Sequence, residues 1–198
     1  MTTNHDIDDN ALIRQICNGD TSAYKIFINR YQKLVIHIVY RMVSQQQDRE
    51  DLVQDVFVNA YRALSKFRFE SQISTWLGKI AYHICLNHLQ KKKVPLLDDS
   101  MEGSLTEYSL DGQKLPDDLI ADKDFYDKIH SEVENLPPLY RTIVTLYHLE
   151  QFSYKEIADI LQLPEGTVKS YLYRARGQLR ERLSSVYKHE VMDYEPSR

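Results

Sequence analysis

Lys169, Ser170, Tyr173, Arg174 and Arg176 are spaced so that one helix presents them on a common surface, and their chemistry is that of a nucleic-acid contact. Ammonium and guanidinium groups neutralise phosphates, and hydroxyls and guanidinium forks hydrogen-bond base edges. At about 100° per residue, Val168, Leu172, Ala175, Leu179 and Leu183 form the opposing apolar stripe, and Lys169 and Arg176 flank the polar face. Thr167 is expected to cap this helix. Upstream, Ser153 and Glu156 have the S-x-x-E spacing of a capping box, and Ile157, Ala158, Ile160 and Leu161 follow as an apolar stripe. Pro164 and Gly166 break the chain between the two segments. Two short helices around a tight turn, the second polar and basic near its start, form the geometry that enters a DNA major groove.

A second group lies in the N-terminal half. A helix from about Ser74 to Gln90 is expected to bury Ile73, Trp76, Leu77, Ile80, Ile84 and His88. Its other face carries Lys79, Tyr82, His83, Leu86 and Gln90, with Lys91, Lys92 and Lys93 following. Interleaved cations and aromatic rings suit a separated DNA strand, because lysines offset phosphate charge and rings stack on unpaired bases. A third group, Asp51, Gln54, Asp55, Val58 and Arg62, shares the outer face of the helix that Asp48 is placed to cap. A polar face interrupted by one valine suits a protein interface.

Catalytic chemistry finds no support. The sequence has no Gly-rich phosphate loop, no metal-spaced cluster and no nucleophile beside a recognisable base. Asp98-Asp99 and Asp117-Asp118 are paired carboxylates in a stretch that reads as solvated linker. His83 has no companion at ligand spacing. No catalytic residue, metal or cofactor is expected. Cys17 and Cys85 belong to no C-x-x-C pair, and no signal peptide or apolar run near membrane-spanning length is present. They read as reduced core thiols of a cytoplasmic protein without membrane insertion.

The elements that must position these groups are helical. The 198 residues include 14 Tyr but only 6 Gly, which disfavours turn-rich β structure, and no long period-2 pattern occurs. The expected fold is all-α, with two small helical domains joined by a flexible acidic linker. Residues 1–94 form the first, with helices over Ala11–Ile16, Ala23–Met42 and from Asp48, whose apolar face takes Leu52, Val53, Val56, Phe57, Ala60, Tyr61 and Leu64. Residues 95–123 are the linker, 124–187 the helix-turn-helix domain, and 188–198 a frayed polar tail. The net charge of −4 conceals an asymmetry: residues 1–95 hold 13 basic and 9 acidic groups, residues 96–134 hold 3 and 12, and residues 135–198 hold 9 and 8. Two near-neutral or basic parts thus flank an acidic segment, which is compatible with grouped DNA-facing charge.

Two stretches resemble bacterial RNA polymerase sigma factors of the extracytoplasmic-function (ECF) type. One contains DLVQDVF and, further on, STWLGKIA; the other runs from LPPLYRTIVTLYHLEQFSYKEIADIL to EGTVKSYLYRAR. The resemblance implies a factor without enzymatic activity that docks on the clamp helices of the largest subunit of core RNA polymerase through Asp51, Gln54, Asp55, Val58 and Arg62. It implies −35 recognition by Thr167, Lys169, Ser170, Tyr173, Arg174 and Arg176. It further implies that Arg68, Phe69, Ser71, Lys79, Tyr82, His83, Lys91, Lys92 and Lys93 recognise and open the −10 element, with loop Phe67–Gln72 holding a flipped base. Promoter DNA and an anti-sigma factor are the other implied partners. Gly78, His83, Gln90 and Tyr171 depart from residues common in that family. The rival reading is a stand-alone helix-turn-helix regulator of duplex DNA.

Overall fold

A computed structural model describes residues 8–97 and 123–192, with side chains described for 8–97 and 129–184. Among the described residues there are eight α-helices and one short 3-10 turn, and no strand. In order they are α1 (Asp9–Cys17), α2 (Thr21–Met42), α3 (Gln46–Ala63), the 3-10 turn Leu64–Lys66, α4 (Ile73–Lys91), α5 (Lys123–Glu134), α6 (Pro138–His148), α7 (Tyr154–Leu161) and α8 (Glu165–Met192). Most of the acidic linker lies outside the described residues.

The ends of these helices follow from local chemistry. Gly19 takes φ +91°, a left-handed conformation that lets the chain reverse between α1 and α2. The Asp20 carboxylate then accepts from the N–H groups of Ser22 and Ala23, satisfying two orphan donors of α2. At α7 the capping box is complete: Glu156 N–H donates to Ser153 Oγ at 3.3 Å and Ser153 N–H to Glu156 Oε2 at 2.8 Å. Two expected caps are not formed. Asp48 lies inside the first turn of α3, whose cap position is Gln45. Thr167 lies inside the first turn of α8, its N–H bonded to the Pro164 carbonyl at 2.9 Å. In both cases the helix starts earlier than the capping residue type suggested. At the other end, the α8 backbone continues to Met192, beyond the boundary expected at residue 187.

α1 to α4 enclose the first half of the core around Leu12, Phe27, Val35, Val56, Leu77 and Ala81. Asp9 fastens α1 to α2, accepting from Arg30 at 2.5 Å and from the Tyr31 hydroxyl at 2.6 Å. α6, α7 and α8 enclose the second half around Tyr140, Ile143, Leu146, Ile157, Val168 and Leu172. The two halves are joined: α6 packs on α2 and α7 on α4, so that one apolar core runs through both. This is why α6 is buried on nearly every side from Leu139 to Leu146.

Polar contacts reinforce the junction. Leu139 N–H donates to the Leu96 carbonyl at 3.2 Å, tying the first linker residues to α6. His37 of α2 meets Glu150 after α6. Arg41, at 6% exposure, binds Glu134 and lies 3.0 Å from His130 Nε2; Glu134 also accepts from Arg141 at 3.0 Å. Burial and then mutual repulsion within the group Arg41, Arg49 and Arg141 lower the basicity of Arg41 and Arg141.

The third neighbour of α4 rotates its buried face. Gly78, Tyr82 and Cys85 are buried, whereas Trp76, Ile80, Ile84 and His88 are only partly covered. Tyr82, expected on the polar surface, is 4% exposed. Burial pushes the Cys85 thiol up to about 12, so it stays protonated at neutral pH. Cys17, expected beside it as a core thiol, is exposed, because α1 presents it to solvent past the buried Ile13 and Ile16. Tyr61 is likewise corrected from core to surface: it is 46% exposed and meets Tyr24 edge-on.

Candidate nucleic-acid interface

On α8 the apolar stripe is as the period requires: Val168, Leu172 and Ala175 are buried, and Leu179 and Leu183 partly so. The opposite face is brought together as expected. Ser170 and Tyr173 are exposed, and Thr167, Lys169, Arg174 and Arg176 are half-buried beside them. Ser170 donates its hydroxyl to the Gly166 carbonyl at 2.9 Å, which turns its lone pairs outward. Tyr171 packs against Tyr140 with ring centroids 5.6 Å apart, so the aromatic side chain here serves the α6–α8 interface.

The cations Lys169 and Arg176 are held by residues of α6 and α7 that the sequence reading gave no part in DNA contact. Tyr147 at the end of α6 and Tyr154 at the start of α7 stack, with centroids 5.0 Å apart and planes 22° from parallel. Arg176 sits over the Tyr147 ring at 5.1 Å and Lys169 over the Tyr154 ring at 5.4 Å. Arg176 also reaches His148 Nε2, from Nη2 at 3.1 Å and from Nε at 3.3 Å. Burial first, and then the Arg176 charge, lowers the His148 pKa and favours the neutral ring that can accept this bond. Lys169 has a second partner in Glu165 Oε1 at 2.8 Å, one turn earlier.

The second surface is assembled less completely. Arg68, Phe69, Ser71, Lys91 and Lys93 are exposed, and Lys79 and His83 are half-buried. Phe69 adopts φ 58°, a left-handed conformation uncommon outside glycine, and stores strain in this loop. Its ring stands 4.9 Å from Phe67, which stands 5.3 Å from the half-buried Trp76, so an aromatic ladder supports an exposed tip. Two expected members differ. Tyr82 is buried, one turn after Gly78. Lys92 is engaged with Asp48 Oδ2 and Gln45 Oε1, each at 2.5 Å, and clamps the end of α4 to the start of α3. The Lys92 hydrogen bond, assisted by the charges of Lys92 and His88, holds the Asp48 carboxyl below its ordinary range.

The third surface is intact. Asp51, Gln54, Asp55, Val58 and Arg62 are all exposed along α3, Val58 at 45%. Exposed Tyr61 extends this patch and was hidden in the sequence by its helical phase beside buried neighbours. Among the described residues no helix is long and apolar enough to cross a membrane, and no group of His, Cys, Asp and Glu is arranged to hold a metal ion.

Such a structure, with a helix-turn-helix in one half and a basic-aromatic helix in the other, defines a helical DNA-binding protein with two contact regions. Comparison with known proteins makes the class specific. Residues 27–94 match Sigma-70 region 2, and residues 126–179 match Sigma-70 region 4. The chain is 33% identical over 180 residues to the ECF RNA polymerase sigma factor SigW of Bacillus subtilis, covering 88% of this chain and 96% of that protein. It is 36% identical over 180 residues to the ECF RNA polymerase sigma-E factor of Escherichia coli, covering 86% and 91%. The fold resembles CnrH in its complex with the cytosolic domain of CnrY (TM-score 0.62, 19% identity, 89% of this chain and 97% of that chain). It also resembles the sigma factor RpoE from Bartonella quintana in complex with the anti-sigma factor NepR (TM-score 0.61, 23% identity, 81% and 96%). The chain belongs to the ECF RNA polymerase sigma factors.

Proposed function

We propose that this chain binds core RNA polymerase and directs it to promoters by gripping DNA at two points. The observation that carries this reading is the coexistence, in one chain, of an outward-facing α8 recognition surface and the exposed α3 and loop 67–72 surfaces. A regulator that reads duplex alone requires only the first. In the proposed roles, residues 124–187 read the −35 duplex through Lys169, Ser170, Tyr173, Arg174 and Arg176. Residues 1–94 dock on the polymerase clamp helices through Asp51, Gln54, Asp55, Val58 and Arg62. Arg68, Phe69, Ser71, Lys79, His83, Lys91 and Lys93 receive the opened −10 strand.

The mechanism is transfer of binding energy. Unpairing and unstacking a base costs a few kcal/mol. Stacking on an aromatic side chain returns about 1–3 kcal/mol per base, and lysine contacts add a salt-dependent term. The strained, exposed Phe69 suits the stacking role because its ring is already displayed. The polymerase carries the chemistry, and this chain supplies only recognition and strand separation, in the cytoplasm where polymerase and promoters are. An anti-sigma partner is part of the same reading, since the structural neighbour RpoE was solved with the anti-sigma factor NepR, and CnrH with the cytosolic domain of CnrY.

The direct test adds the purified chain to core RNA polymerase and maps transcripts. Promoter-specific initiation dependent on the chain is expected. Tight duplex binding without any initiation supports the stand-alone regulator and overturns this proposal.

A further inference from the structure

We propose that Tyr147, His148 and Tyr154 are positioning residues that hold Arg176 and Lys169 in place to grip DNA phosphates at two points along one edge of the base-reading face of α8. This deepens the −35 assignment made above and rests on it.

The geometry is specific. Lys169 and Arg176 are seven residues apart, two helical turns and about 10 Å along the axis. They occupy one edge of α8, and Ser170, Tyr173 and Arg174 lie between them on the face. Contacts to phosphates fix register without reading sequence, while contacts to base edges read it. Two cations bracketing the reading residues therefore set where the helix sits in the groove.

Long cationic side chains are costly to order. Immobilising one on binding costs roughly 2- to 10-fold in affinity. In this chain the ordering is done beforehand by residues from two other helices. The stacked rings of Tyr147 and Tyr154, 5.0 Å apart, form a continuous aromatic platform, with Arg176 on one ring and Lys169 on the other. His148 adds a two-pronged hydrogen bond to Arg176, from Nη2 at 3.1 Å and Nε at 3.3 Å. A ring face attracts a cation without neutralising its charge, so the held side chain remains able to bind phosphate. Glu165 does partly neutralise Lys169, which makes Arg176 the stronger anchor of the two.

The test measures promoter affinity against salt for the full chain assembled with core RNA polymerase, on a duplex selected from a random library with the unaltered protein. The slope against salt counts phosphate contacts, whereas positioning changes affinity at constant slope. Arg176→Ala is expected to weaken binding and reduce the slope by about 1. Tyr147→Leu and Tyr154→Leu are expected to weaken binding about 3- to 10-fold with the slope unchanged, and Tyr147→Phe, which keeps the ring under Arg176, to restore it. His148→Ala is expected to lose about 2- to 4-fold, with His148→Gln restoring an acceptor. If Arg176→Ala weakens binding while His148→Ala and both Leu variants bind as the parent does, the positioning role is wrong and the −35 reading stands. If Arg176→Ala and Lys169→Ala leave affinity and slope unchanged, the −35 role of these cations fails and the positioning role with it.

Discussion

Ile160 Cδ1 lies 3.1 Å from the point where a Cβ on Gly78 would stand, and Ile160 Cγ1 lies 3.3 Å from it. α4 and α7 therefore meet through a notch that a glycine leaves open. Replacement by Ala removes a helix-interior glycine, a gain of about 1 kcal/mol, but overfills the contact at a cost of about 1–3 kcal/mol. Ile160 is fully buried and β-branched and must give by a few tenths of an ångström, so Gly78→Ala is expected to lose up to about 2 kcal/mol. Gly78→Leu cannot be absorbed in this way and is expected to lift α7 from α4. Thermal unfolding and a distance label between the two halves check this. Adding Ile160→Val should recover part of the Leu defect, whereas additive losses in the double variant would show that the two side chains do not compete.

Among the described residues, Glu134 is the carboxylate shared by Arg41 and Arg141, whose side chains are 8% and 7% exposed. Removing it leaves two buried guanidinium groups facing each other. Glu134→Gln is expected to cost about 3 kcal/mol, the low end for breaking a buried pair, because Glu134 itself keeps 38% exposure. Arg41→Met should cost less, since Arg141 still pairs with Glu134 and one repulsion disappears. Denaturant unfolding of both variants decides the order, and a larger loss for Arg41→Met would contradict it.

The Asp48 clamp gives a pH signature. Its carboxyl titrates lower in the folded chain than the ordinary Asp value of about 3.9, so the folded state binds fewer protons. Its contribution is fully present above that value and is lost as pH falls toward the folded pKa. Asp48→Asn should abolish this increment while leaving the rest of the acid unfolding profile in place. Comparison of unfolding free energies at neutral and strongly acidic pH measures it. A constant difference between the two proteins across that range would exclude the clamp.

Much of this was legible before any coordinates, and the residues show why. Ser153 and Glu156 act within one turn, so spacing alone specifies their capping box. The same holds for the α8 stripe Val168, Leu172 and Ala175, and for the exposed Val58 on α3. What was missed depends on contacts distant in sequence. Tyr82 reads as surface until α7 is placed against Gly78, because the period of α4 records only its packing on α2 and α3. Lys92 reads as one of three equivalent lysines until α3 brings Asp48 beside it. Tyr147 reads as a core-side residue of its own helix, and only the turn between α6 and α7 stacks it with Tyr154 under the cations of α8.

That difference among the three lysines is itself measurable. Lys91 and Lys93 are exposed, while Lys92 is held by Asp48 and Gln45. Releasing Lys92 to a phosphate would break both contacts, which offsets what the phosphate offers. Lys91→Ala and Lys93→Ala are therefore each expected to reduce the salt slope of open-complex formation by about 0.7, the single-strand value per neutralised phosphate. Lys92→Ala should leave that slope unchanged and lower thermal stability slightly, as for a largely exposed ion pair. The slope is read from open-complex formation at several salt concentrations, and stability from unfolding of the free chain. A slope that falls with Lys92→Ala as much as with its neighbours would mean that the α3–α4 clamp opens when the −10 strand is bound.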